Sequence, residues 1–314
     1  MRRIRQSIKK FIHSRYCPDL LFDLYFEPRA AAALQKVLKS INSRDDLMGV
    51  LSDTERSHWT DRISNVLQGP DNAAIPRHRE AGTLRGEQLV MHNGLLIHPL
   101  SYYSLPMLKM LIDNRGVHEP QEEKIFQEVL HAMSPGSTPC MLELGAYWSF
   151  YSMWFLQQFP KARCIMVEPL RKNLFFGKKN FKLNGMKGRF LQAGIGDKPD
   201  RANNITTVDT ICEKYGIDFI DILHSDIQGF ELDMLHGSSR MLTERRVGYL
   251  FVSTHSNELH RLCRELLEDR YGFITVASAD LDETYSWDGI LAMRAPDYAG
   301  LKRVSISKKS TKQI

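Results

Sequence analysis

The sequence lacks any long uninterrupted apolar run. Nothing in it approaches the ~20 residues a membrane-spanning helix needs, and its most apolar N-terminal stretch, residues 11–26, is broken by His13, Arg15, Asp19 and Asp23. The basic start is not followed by the apolar core of a secretory signal, so a cytoplasmic protein without a membrane span is expected. Cysteine is scarce: Cys17, Cys140, Cys164, Cys212 and Cys263 are an odd number at separations of 24 residues or more. That excludes a disulfide framework and a Cys-x-x-Cys metal knuckle, and leaves reduced, buried thiols. His92, His98 and His118 lack the close paired spacing of a metal site, and no metal is expected. There is no internal repeat. With 43% hydrophobic and 25% charged residues in 314, the chain is neither disordered nor collagen-like nor a coiled coil. At ~150 residues per domain it should hold about two.

The net charge of +5 invites a nucleic-acid or membrane-surface partner. Position removes the invitation. Residues 1–16 carry six basic side chains and no acid, and residues 300–314 carry five and none, which leaves 31 basic against 37 acidic residues, or −6, between them. No nucleic-acid partner is expected. The basic termini read as solvated tails, with weak contact to an acidic surface as the alternative.

Residues 28–41 and 53–68 have helical spacing, with Pro28 at a first turn and Asp53 as a cap. Asn93-Gly94 sits between two β-like runs, the pattern of a tight hairpin. A helix is expected from about Glu119 to Met133. From Cys140 onward seven short apolar runs alternate with helical segments, which implies a parallel sheet with helices on both faces. The last two runs are separated by Ala279–Asp288, too short and unpatterned for a helix, so the last strand should be antiparallel. The chain divides into a helical extension plus hairpin (1–114) as a candidate acceptor-binding cap, an α/β domain (115–296) and a basic tail (297–314).

Ligands of open α/β sheets bind beyond the carboxyl ends of the strands. There the sequence places Glu143-Leu144-Gly145-Ala146, Glu168-Pro169, Gly194-Ile195-Gly196-Asp197, Asp226-Ile227-Gln228-Gly229 and Thr254-His255-Ser256. Acids at such regular intervals exceed what helix capping alone requires. Glu168, closing the second strand, has two oxygens with which to accept both hydroxyls of a ribose. A dinucleotide would need a glycine-rich turn for its pyrophosphate. Here Gly145 is followed by Ala146, Tyr147, Trp148 and Ser149. S-adenosylmethionine, without a phosphate and with a sulfonium cation, suits an acid-lined crevice with an aromatic wall better.

The stretches GVHEPQEEKIF (116–126), MLELGAYWSFYS (141–152), MVEPLRKNLFFGKKNFKLN (166–184), LQAGIGD (191–197), TTVDTI (206–211), LHSDIQGFELDMLHG (223–237) and WDGILAMR (287–294) resemble the FkbM-type family of class I S-adenosylmethionine-dependent methyltransferases. The resemblance implies a Rossmann-like seven-stranded sheet, mostly parallel with an antiparallel last strand. It implies that Glu143, Gly145 and Ala146, with Tyr147 and Ser149 in the same turn, lie under the methionine part of the cofactor. Glu168 and Pro169 would hold the ribose, Gly194, Ile195 and Asp197 would flank adenine, Glu119 would precede the first strand, and Asp226 and Gln228 would line the transfer end. Tyr147 and Ser149 replace an Asn and a Gly common in that family, and His224 replaces a Lys.

Methyl transfer is an in-line displacement in which positioning supplies much of the rate. An alcohol acceptor must also lose a proton, and His255 is the first candidate base, ahead of Asp226 and His224. The alternative for His255 is capping of the next helix beside Ser256. Trp148, Phe150, Tyr151, Trp154 and Phe155 read as core of the first helix of the α/β domain rather than a substrate box. Mg²⁺ assistance would fall to Asp226 with Asp197 or Glu231. The resemblance to the family, not the residues themselves, implies O-methylation of a hydroxylated small molecule, a sugar or natural product, as the expected activity. The alternatives are a nicotinamide-dependent oxidoreductase and a nucleoside-binding scaffold without catalysis.

Overall fold

The computed structural model describes residues 19–42, 48, 51–136 and 138–310; the basic segment 1–16, Cys17 and Lys312 lie outside the described residues. The described residues open with α1 (Asp19–Asn42), followed by α2 (Asp53–Gln68). Pro28 lies inside α1 and not in its first turn. Phe22 and Phe26, one turn apart and both ahead of the proline, pack edge-on against Phe175. This aromatic contact offsets the backbone bond that an interior proline removes. The cap of α2 is Ser52 and not Asp53: Ser52 Oγ accepts from the Glu55 N–H while the Glu55 carboxylate accepts from the Ser52 N–H.

A 3-10 turn (Pro70–Ala74) leads to β1 (Leu84–Arg85), β2 (Gln88–Val90) and β3 (Leu96–Ile97). β2 and β3 form the expected hairpin with Leu89 opposite Ile97. Next come α3 (Leu105–Asp113) and α4 (Pro120–Ala132). The α/β unit then runs β4 (Cys140–Leu144), α5 (Phe150–Gln158), β5 (Arg163–Val167), α6 (Arg171–Leu183), β6 (Arg189–Leu191), β7 (Gly194–Ile195) and β8 (Ile205–Thr206). It continues through α7 (Val208–Tyr215), β9 (Ile220–Ser225), α8 (Glu231–His236), α9 (Ser239–Thr243), β10 (Val247–Thr254), α10 (Asn257–Glu265), β11 (Ile274–Ala279) and β12 (Gly289–Arg294).

Seven strands form one sheet in the order β11-β12-β10-β9-β4-β5-β6, with β12 antiparallel to both its neighbours. The apolar run 189–196 divides: β6 stays in the sheet, while β7 turns aside to pair with β8. Strand alternation feeds two cores. Met141, Met166, Ile222, Tyr249 and Phe251 face one core, which also holds Phe126, Phe155, Val37, Ile63 and Met107. Leu142, Leu144, Ile165, Leu223 and Val252 face the other, under α7 to α10. The N-terminal extension therefore shares a core with the sheet. Trp148, Phe150, Tyr151, Trp154 and Phe155 are all buried in that shared core, as the sequence spacing suggests. Cys140, Cys164, Cys212 and Cys263 are buried free thiols. Among the described residues no helix is long and apolar enough to cross a membrane.

The segment expected to be a solvated tail is, over residues 301–310, a strap across the body. The Val304 N–H donates to the Val276 carbonyl, and the Ser307 N–H donates to Asp71 at 2.7 Å. Lys124 donates to both Asp71 and the Ser305 carbonyl, and Lys308 pairs with Glu283. Val304 is the buried side chain of the strap. Val304→Asp buries an unpartnered charge at this point and should cost about 2 kcal/mol or more in unfolding by denaturant; an unchanged midpoint would show the strap to be loosely held.

Candidate functional site

The strand order reverses between β4 and β9, and the loops that leave these two strands meet. Gly145 has φ +67°, and a Cβ there would collide with the Asp226 carbonyl oxygen. Only glycine suits both the backbone and the space. The Asp226 N–H donates to the Leu144 carbonyl at 3.0 Å, which extends the ladder to the last residue. In the same register Glu143 stands opposite His224.

Glu168, just past β5, binds the turn that follows β4. One of its oxygens accepts from the Tyr147 N–H at 3.1 Å, and the other accepts from the Leu170 N–H at 2.8 Å and the Asn173 amide at 3.2 Å. Burial raises its carboxyl above the usual range. Burial likewise pushes Glu143 up to about 7, although its carboxylate accepts from the Ser152 N–H.

The start of α4 adds a buried ionic network. The Glu123 carboxylate accepts from the N–H groups of His118 and Glu119 and pairs with His118 Nδ1 at 2.5 Å and His92 Nε2 at 2.8 Å. Burial opposes charge on His118, but Glu123 and Glu119 overcome it and raise its pKa to about 9. Burial pushes Glu119 up to about 8, with the Tyr151 hydroxyl donating to it. Glu122 takes His224 Nε2 at 2.7 Å and the Ser253 hydroxyl at 3.1 Å.

His255, at the end of β10, does not cap α10; Ser256 Oγ does so, accepting from the Leu259 N–H. Its Nδ1 lies 2.8 Å from Glu231, and its Nε2 lies 3.2 Å from Asp226 and 3.3 Å from Asp288. Burial opposes its charge, and hydrogen bonds to Asp226 and Glu231 reverse the balance, raising its pKa to about 10. Gln228 donates to Asp226 at 3.0 Å. Burial, then the Asp226 charge, raises Asp288 to about 6.

A cavity of about 30 Å³ lies among these groups. Of the residues expected from sequence, Glu119, Glu143, Gly145, Ala146, Tyr147, His224 and Asp226 line it. Ser149 is fully buried. Glu168 and His255 touch the cavity through Tyr147 and Asp226. Gly194 and Ile195 lie in the β7–β8 pair, and Asp197 is exposed beside Lys198. Sequence reading missed Arg62, Tyr102, Tyr103, Ser253 and Asp288, all of which line the cavity. Asp288 lies in the stretch WDGILAMR (287–294), while Arg62 and the tyrosines carry no local signal. Among the described residues no group of three or more His, Cys, Asp or Glu is arranged to hold a metal ion.

The sheet order, its antiparallel β12 and the acids at the ends of β4, β5 and β9 define a Rossmann-like methyltransferase fold. Residues 203–275 match the family described as methyltransferase FkbM domain, which bears out the resemblance read from the sequence and supports S-adenosylmethionine-dependent methyl transfer. No curated protein sequence matches the chain. Among solved structures, M. capricolum TrmK, in complex with its natural cofactor product S-adenosylhomocysteine, is 10% identical with a TM-score of 0.40, covering 58% of this chain and 71% of TrmK. The METTL16 MTase domain is 12% identical with a TM-score of 0.42, covering 57% of this chain and 69% of that one. The Pyrococcus abyssi tRNA (uracil-54, C5)-methyltransferase, with S-adenosylhomocysteine, is 11% identical with a TM-score of 0.39, covering 63% and 41%.

The ionic network makes a pH prediction. His118 is raised to about 9 in the fold, above its ordinary 6.5, so its contribution to stability is complete below pH 6.5 and is lost as pH rises through 9. The contribution is about 3 kcal/mol. Denaturant unfolding of the wild type should therefore weaken between pH 6 and pH 10, and His118→Gln should weaken by less; equal losses would exclude His118 from the balance.

Proposed function

We propose that the protein transfers a methyl group from S-adenosylmethionine to a hydroxyl oxygen of a small acceptor, a sugar or other natural product. The observation that carries the reading is Glu168 bound beneath the turn after β4. In this position, at the end of the neighbouring strand, a carboxylate meets ribose hydroxyls beside a glycine turn. Glu168 and Pro169 then hold the ribose, with Gly194, Ile195 and Asp197 toward adenine. Gly145, Ala146, Tyr147 and Ser149 shape the turn beneath the methionine part, and Glu119 and Glu143 lie on its cationic side. When bound, the cofactor supplies an electrophilic methyl group on a sulfonium. The cavity has the room of about one water, so cofactor entry parts Tyr103 from Tyr147, whose hydroxyl accepts from the Tyr103 N–H.

A nicotinamide dinucleotide fits this turn less well. Trp148 is buried between Tyr102 and Phe150, where a pyrophosphate would need open backbone N–H groups. A polyanionic nucleic-acid acceptor is disfavoured by the acids Glu119, Glu143, Asp226 and Asp288 that line the cavity. Unpaired buried thiols suit a cytoplasmic setting. Residues 115–296 act as the transferase unit, and the extension 1–114 caps its acceptor side, since Arg62, Tyr102 and Tyr103 come from it.

The hydrogen bonds support a base assignment. Both ring nitrogens of His255 face carboxylates, so His255 is the positioning residue and Asp226 takes the acceptor's proton. His224 is the second candidate, because its Nδ1 is buried without a partner.

Two measurements test the reading. Glu168→Gln should weaken S-adenosylhomocysteine binding about tenfold by calorimetry, and an unaltered affinity would sink the ribose assignment. Asp226→Asn should bind the same ligand within about twofold yet lose about 100-fold or more in methyl release from labelled S-adenosylmethionine with hydroxylated acceptors. Retained turnover would remove Asp226 as base, and wild-type cofactor binding with no turnover on any acceptor would favour the scaffold.

A further inference from the structure

Arg62 has no part in the chemistry proposed above, and its surroundings are unusual. It projects from α2 into the cavity wall and is only 7% exposed. Among the described residues its guanidinium makes no ion pair and no hydrogen bond, and its Nε is buried without a partner. An unpaired cation at this low exposure is costly. What retains it is aromatic: the guanidinium carbon lies 3.8 Å from the Trp287 ring centre, Trp59 stacks on Trp287 at 5.6 Å, and Tyr103 is 6.0 Å from the guanidinium.

The acids nearby are committed elsewhere. Asp288, on which Arg62 acts electrostatically, is 3.3 Å from His255. Asp226 binds Gln228 and His255, and Glu119 binds Tyr151. The stack on Trp287 leaves the edge of the guanidinium for a ligand.

We propose that Arg62 is a carboxylate-binding residue of the transfer cavity, receiving the carboxylate of a bound small molecule. The inference rests on the function proposed above and deepens it. A guanidinium presents paired N–H donors in the plane of a carboxylate's two oxygens, and is weakly enough hydrated to wait in a buried site. Two sources supply that group: the amino-acid part of the cofactor, or an acidic substituent on the acceptor. Trp287 at 37% exposure and Tyr103 at 52% form apolar surface beside it, suited to an acid carried on a ring or apolar body.

The test uses the full chain and the variants Arg62→Gln and Arg62→Lys, with thermal unfolding as the folding control. Calorimetry compares S-adenosylhomocysteine with 5′-methylthioadenosine, which keeps the nucleoside and lacks the amino acid. Benzoate is then titrated with and without S-adenosylhomocysteine, read by the intrinsic tryptophan fluorescence, to which Trp59 and Trp287 beside Arg62 contribute. If the cofactor supplies the carboxylate, Arg62→Gln weakens S-adenosylhomocysteine about tenfold or more and leaves 5′-methylthioadenosine unchanged. If the acceptor supplies it, S-adenosylhomocysteine is unchanged and the saturable benzoate response disappears. In both cases Arg62→Lys retains part of the effect. Unchanged affinity for all three ligands overturns the proposal, as does equal loss of both nucleosides with lowered unfolding temperature, which marks a structural arginine. Failure of the wild type to bind either nucleoside sinks the methyltransferase reading instead, and the benzoate arm still reports on Arg62.

Discussion

The site depends on one close backbone contact. Gly145 and the carbonyl of Asp226 are so near that no Cβ fits between them, and the Asp226 N–H is bonded to Leu144. The ends of β4 and β9 are thereby joined as one rigid edge, with Glu143 and His224 in register one step below. The position of the Asp226 carboxylate follows from the backbone ladder more than from side-chain packing. β5 is tied to the same edge through Glu168 and the Tyr147 N–H, so three strand ends move together. Preorganisation of this kind is what an in-line transfer requires, since small displacements of the reacting groups are expensive in rate.

Around that edge the molecule buries many ionisable groups, and His92, His118, His224 and His255 are each placed against acids. Glu123 joins His92 on the hairpin side to His118 ahead of α4. Glu122 joins α4 to His224 of β9 and Ser253 of β10. Removing one partner of a buried pair leaves an uncompensated charge and costs several kcal/mol, about 3–5. The extension is therefore bound to the sheet by charge as well as by the shared apolar core. Every group in the network whose pKa is raised, His118, Glu119, Glu143 and His255 among them, makes folding less favourable as pH rises.

The sheet, its reversed strand and the acids Glu143, Glu168 and Asp226 are legible in the sequence because local pattern determines them: short apolar runs end in an acid or a glycine. What escaped reading depends on distant partners. The strap looks like a basic tail because Leu301, Val304 and Ile306 are scattered among basic and hydroxyl residues without a helix or strand period, and its hydrogen bonds go to Val276 and Asp71. His255 looks like a free base because Glu231 and Asp288 are remote in sequence. Arg62 is an ordinary cation on a helix until the fold puts it over Trp287. Local propensity also places Pro28 at a helix start, and only the packing of Phe22 and Phe26 on Phe175 explains why the helix begins earlier.

The turn after β4 is where the extension meets the ends of the strands. Tyr147 and Ser149 have φ +44° and +64°, conformations that glycine adopts freely and other residues adopt at a cost on the order of 1 kcal/mol each. Packing holds them there. Ser149 is fully buried against Gly177, where a side chain would collide with its hydroxyl. Trp148 is stacked on Tyr102 at 4.6 Å, and its carbonyl accepts from Asn180 at 3.1 Å. Tyr103, the neighbour of Tyr102, donates its N–H to the Tyr147 hydroxyl. A flexible glycine turn would need no such support. An aromatic turn does, and here two consecutive tyrosines of the extension provide it, so the segment that lines one wall of the cavity also sets the shape of the turn after β4.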